Sequence, residues 1–159
     1  MQLHLPHNII SPMETKSKRR RFREWFSADE LHEESKKWTS ELKFAQDEQK
    51  FLNNMVKDYT LDIIDSDMFK SVQPLVDALN RAEKEWNDLF KKVQLHENQL
   101  QIMVDEVNQE KMEEAYLDTH SDLGQEVEDY FEKYRDSKTR MFDVISNVIK
   151  RKKQKRLLT

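Results

Sequence analysis

Cysteine is absent from this sequence, glycine occurs once, at Gly124, and proline three times. Without cysteine there is no disulfide framework, no thiolate metal site and no thiol nucleophile. A single glycine excludes the loops that cradle phosphates, which need several together, and the strained elbow that presents a nucleophilic serine. The scarcity of turn residues and of β-branched runs argues against a β-rich fold. No window approaches about 18 consecutive apolar residues, so no segment is suited to crossing a bilayer. Met1 to Pro12 has neither the basic lead nor the apolar run of a signal peptide. These absences lead to the expectation of a non-catalytic, cytoplasmic protein with no cofactor and no small-molecule substrate.

What the sequence has in plenty is charge. Charged residues and hydrophobic residues each make up 36% of the chain, a balance that suits long helices with one apolar stripe and a wide polar face. The formal net charge of −4 conceals a strong asymmetry. Residues 1–23 carry six basic side chains against Glu14, and residues 150–159 carry six more and no acid. The 126 residues between them hold 15 basic and 30 acidic side chains. The sequence therefore describes an acidic body with a basic segment at each end.

The organising stretch is Val72 to Val107. Its apolar positions step by three and four through Val72, Leu75, Leu79, Ala82, Trp86, Leu89, Val93, His96, Leu100, Met103 and Val107. That is heptad spacing, and a second row at Val76, Phe90 and Val104 widens the stripe to serve two neighbouring helices. An earlier seam runs Leu31, Ser35, Trp38, Leu42, Ala45, Gln49, Leu52, Val56, Tyr59, Ile63, with Phe44, Phe51 and Met55 beside it. A later one runs Leu123, Val127, Tyr130, Tyr134, Met141, Val144, Val148, flanked by Phe131, Phe142, Ile145 and Ile149. Helical spacing marks Trp38, Trp86, Phe44, Phe51 and Phe90 as core.

Capping and turn chemistry set the expected boundaries. Ser27 with Glu30 reads as a capping box opening the first helix, with Phe26 and Leu31 placed as a hydrophobic staple. Ser71 and Pro74 mark the start of the second helix. The run Asp118, Thr119, His120, Ser121, Asp122, followed by Gly124, marks a second reversal. The expected fold is all-α: an elongated three-helix antiparallel bundle, up, down, up, with coiled-coil-like packing and helices at about 28–65, 72–117 and 122–153. The alternative is an open hairpin that completes its core by dimerising. Residues 1–26 form a basic and aromatic N-terminal segment, disordered at its start, and 151–159 a basic C-terminal tail. Met13 is an alternative start, which the intact mass of natively expressed protein decides. Folding about these turns predicts a layer containing Trp38, His96 and Val144.

Candidate sites follow from the same features. Carboxylate-bridged metal bundles need Glu-x-x-His on facing helices; here only Asp29 and His32 have that spacing, so no metal site is expected. His96 in a seam reads as a buried polar residue that fixes register. The basic ends are the sharper candidates. Arg19, Arg20, Arg21, Phe22, Arg23 and Trp25, with Lys150, Arg151, Lys152, Lys153, Lys155 and Arg156, combine cations with aromatic or aliphatic neighbours. Such groups meet nucleic-acid phosphates and bases, or an anionic membrane surface. The acidic body confines any such contact to the ends. The preferred functional reading is a helical interaction or scaffold protein with a protein partner or self-association. An accessory role on nucleic acid or membrane through the basic ends is the alternative.

Overall fold

The computed structural model describes residues 28–103 and 109–159, with side chains omitted at 28–29, 100–103 and 109–113. It is all-α: α1 Ala28–Asp58, α2 Thr60–Asp65, α3 Phe69–Met103 and α4 Gln109–Leu157, with no strand among the described residues.

The stripes become the core. The main row of the organising stretch, Val72, Leu75, Leu79, Ala82, Trp86, Leu89, Val93 and His96, is buried, as are Leu31, Ser35, Trp38, Leu42, Ala45, Gln49, Leu52 and Ile63 on the first seam. Heptad spacing has this effect because residues three and four apart stand one above the other on a helix, so one face collects all the apolar area. The side chains of Leu100 and Met103, and Val104 and Val107 entirely, lie outside the described residues, as do Ser27, the N-terminal basic run and Met13.

The first long helix is interrupted once. Tyr59, at φ −100° and ψ 11°, separates α1 from the six-residue α2, while its amide still reaches the Met55 carbonyl and its carbonyl still receives the Ile63 amide. The chain then reverses over Ser66 to Met68, with Asp67 in the left-handed region at φ 62°. Asp tolerates this conformation better than most residues. The next helix starts at Phe69, earlier than Ser71 and Pro74 suggest. Ser71 is inside its first turn, its amide bonded to the Met68 carbonyl. Pro74 therefore stands in the second turn, where it withholds a donor from the Lys70 carbonyl.

The second reversal is not at residues 118–122. Those residues lie in the middle of α4, which begins at Gln109 and runs unbroken to Leu157. The local reasons are plain. Thr119 returns its hydroxyl to the Ala115 carbonyl at 2.9 Å, a bond a helix accommodates, and His120 points into the core at 2% exposure. Gly124 terminates nothing: a Cβ there would stand 3.2 Å from Cζ2 of Trp38, so the missing side chain admits the indole. The earlier start of α4 also displaces the predicted layer. His120, not Val144, is level with His96, and the buried stripe of α4 extends back to Tyr116. Further along, Ile145 is buried at 1% while Val144 is only partly covered. The C-terminal segment is likewise helical as far as Leu157 rather than a tail from residue 151.

Polar ties give the relative placement of the helices. Between α1 and α3, Thr39 donates to Glu97 at 2.8 Å and the Trp86 indole N–H to the Leu42 carbonyl at 2.6 Å, so numbers rise on one helix as they fall on the other. The same opposite sense holds between α3 and α4, where Lys92 meets Glu126 at 2.7 Å and His96 meets His120 at 2.8 Å. Between α1 and α4 the numbers rise together: Glu34 with His120, Trp38 with Gly124 and Glu48 with Tyr134.

Candidate docking groove and the histidine chain at its head

Because α1 and α4 carry their buried seams toward α3, the faces they turn outward leave an open groove of about 940 Å³ between them. Its floor is Trp38, Ala45, Gly124 and Val127. One lip, from α1, presents Glu34, Lys37, Glu41, Phe44 and Glu48; the other, from α4, presents Glu128, Phe131, Arg135 and Lys138. Phe44 is 69% exposed and Phe51, one heptad further along α1, is 56% exposed. Neither belongs to the core, contrary to the reading of their spacing. The row they form is real, but among the described residues no helix covers it. Phe90 is partly buried, stacked on Trp86 at 4.6 Å.

The groove is tied across its width at one level. Tyr134 donates to Glu48 at 2.7 Å and Lys138 reaches the same carboxylate oxygen at 3.1 Å. Burial, then the hydrogen bond and charge of Glu48, push the Tyr134 hydroxyl pKa up, so it stays a donor. Deeper in, buried Gln49 donates to the Tyr130 hydroxyl at 2.9 Å, and burial raises the pKa of that phenol as well.

At the head of the groove the sequence reading underestimated the chemistry. His96 Nε2 and His120 Nδ1 are 2.8 Å apart, and His120 Nε2 is 3.0 Å from Glu34 Oε2. A carboxylate accepts, so His120 Nε2 carries the proton between them. On that tautomer His120 accepts at Nδ1, and His96 Nε2 donates. His96 Nδ1 is buried without a hydrogen-bond partner. Aromatic rings enclose the pair: Trp38 stacks on His120 at 4.6 Å and Tyr116 on His96 at 4.1 Å. Burial, followed by the neighbouring His120, holds the His96 pKa down to about 4. The Tyr116 hydroxyl is also buried, which raises its pKa against a smaller opposing effect of Ser35.

His120 stands in a run of turn-forming residues, and the sequence signal for its burial is its position four residues before Gly124 and seven before Val127, in phase with the stripe. His96 was recognisable from its own stripe. Both rings are nearly sealed, at 1% and 2% exposure, so neither offers a nitrogen to an outside reactant. No group of three or more potential ligands is arranged to hold a metal ion among the described residues.

The C-terminal half of the sequence-predicted basic site is also on view. Lys152 reaches Asp62 at 3.0 Å and lies 5.9 Å from the Tyr59 ring, and Arg151 donates to the Ser66 carbonyl. Two of the six cations therefore fasten α4 to α2 and the first turn. Lys150, Lys153, Lys155 and Arg156 face solvent beside Leu157 and Leu158. Arg19, Arg20, Arg21, Phe22, Arg23 and Trp25 lie outside the described residues. No family model, curated protein or solved structure matches the chain.

Proposed function

We propose that this protein is a non-catalytic helical scaffold, three long helices running up, down, up with coiled-coil-like packing, that works by receiving another helix in the α1–α4 groove. The observation that carries the reading is the exposure of Phe44 on the lip of an open groove floored by core residues, with Phe51 exposed one heptad further along α1. Exposed rings one heptad apart along a helix offer a surface on which the apolar face of a further helix can pack, and burying one such ring is worth roughly 1.5–3 kcal/mol. Mixed charges on both lips would fix the register of the incoming helix while contributing little affinity at the exposed rim. The test compares wild type with Phe44→Glu/Phe51→Glu for capture of binding proteins from an extract of the source organism, with circular dichroism to verify folding. Loss of the captured proteins in a folded variant supports the groove as the contact face; equal capture refutes it.

A second reading rests on a separate observation. Leu157 and Leu158 are 86% and 88% exposed on a helix end that also presents Lys150, Lys153, Lys155 and Arg156 to solvent. Apolar side chains among cations suit the surface of an anionic membrane, while cations alone would serve nucleic acid. Titration with anionic vesicles and with single-stranded DNA at two salt concentrations, with and without residues 150–159, distinguishes the two. Binding of neither removes this reading. No described helix is long and apolar enough to cross a membrane, so such contact would be peripheral.

A further inference from the structure

We propose that the occupant of the groove is a second copy of this chain, its groove packed face to face on the first about a two-fold axis parallel to the helices. This rests on the docking reading above and names its partner. The argument is one of height and sign. On α1 and α4, residues 86 apart in sequence stand level, as Glu34 with His120 and Glu48 with Tyr134 show. A two-fold axis along the helices preserves height and sets α1 of one copy against α4 of the other.

Three pairs then meet, each within one residue of the observed spacing. Phe44, exposed by 69%, comes level with the partner's Phe131, which is only partly covered within its own copy. Glu48 comes level with the partner's exposed Arg135. Met55, partly buried, comes level with the partner's Phe142, which is 37% exposed. Ring meets ring, acid meets base and thioether meets ring, and each pair occurs twice by symmetry. Among the charged residues of the two lips, Glu41 against the partner's Glu128 is the like-charged pair that comes level. A two-fold axis across the helices does worse. With that axis level with Glu41, it would lay α1 against α1, bring Glu41 against its own copy and set Glu34 against the partner's Glu48. Like charges set opposite one another disfavour that arrangement.

The experiment is light scattering and sedimentation of the full chain across a hundredfold concentration range, at low and high salt. A dimer is expected, with Phe44→Glu monomeric at every concentration and unchanged in helicity. Arg135→Glu should weaken the dimer by about tenfold or more, and Glu48→Arg combined with Arg135→Glu should recover most of that loss, because an isologous contact restores the pair twice. Glu48 also holds Tyr134 and Lys138 within its own copy, so if Glu48→Arg fails to fold, Phe44→Glu and Arg135→Glu alone decide. A wild type that is monomeric throughout, or a dimer indifferent to Phe44→Glu, overturns the proposal. A monomeric wild type whose captured proteins are lost on Phe44→Glu/Phe51→Glu overturns the second copy as occupant and leaves the docking reading standing.

Discussion

Gly124 and Trp38 occupy one another's space: the indole edge lies where a Cβ on residue 124 would come within 3.2 Å of Cζ2. This contact lets α4 approach α1 closely enough for Trp38 to stack on His120 at the head of the groove. Alanine at 124 would bring about 1 kcal/mol of helix propensity, set against a displacement of the indole by a few tenths of an ångström. Valine adds branches the indole has no room for. Gly124→Val should therefore destabilise by about 1–3 kcal/mol while Gly124→Ala stays near neutral. Urea unfolding of the two variants checks this, and a valine variant as stable as wild type would show that the helices simply part.

Trp86 is the matching tie between α1 and α3. Its N–H reaches the Leu42 carbonyl from within the core, and its ring is 7% exposed. Trp86→Phe removes that donor and part of the buried ring, for an expected loss of about 1–3 kcal/mol. A melting temperature unchanged in the phenylalanine variant would mean that the bond contributes nothing net.

Acid should loosen the head of the groove. His96 is held to a pKa of about 4 in the folded chain, below its ordinary value of 6.5. Between those values the unfolded chain binds the proton and the folded chain does not, so stability present above about pH 6.5 is lost as pH falls toward 4. The groups facing His96 are His120, Tyr116 and, through His120, Glu34; on the histidine pair a second proton has no acceptor to meet. A shift of this size corresponds to about 3 kcal/mol over the whole interval. Chemical unfolding at pH 7 and at successive lower values should show that slope, and His96→Gln, which keeps a polar partner for His120 without titrating, should flatten it. An equally steep slope in the glutamine variant would assign the effect to other groups.

Asp67 turns the chain between α2 and α3 in the left-handed region. A β-branched residue tolerates that conformation poorly, whereas asparagine or glycine adopts it readily. Asp67→Val should cost at least about 1 kcal/mol, and Asp67→Asn should match wild type or exceed it slightly. Equal stability of the valine and asparagine variants would show that the turn relaxes.

The periodic parts of the fold were legible in the sequence, and particular residues show why. Val72 through His96 needed only a spacing of three and four to declare their common face, since helical geometry alone brings such positions together. Phe44 and Phe51 were misread for the complementary reason: periodicity reports that residues share a face, but it does not report whether a neighbour covers that face. His120, Ser121 and Gly124 were misread because capping and turn residues have a local alternative to helix, and whether they take it depends on what their side chains find. Here His120 found His96 and Glu34, and Gly124 found Trp38.

By itself, then, the sequence determined that this is an all-α chain, which faces of its helices are apolar and where the first reversal falls, because these follow from the chirality and pitch of a helix and from residues close together in the chain. Tertiary structure alone decided that α4 begins some thirteen residues before the expected start, that His96 meets His120, and that the α1–α4 face stays open. Those outcomes depend on which distant side chains satisfy one another's buried polar atoms and volume, and no local pattern carries that information.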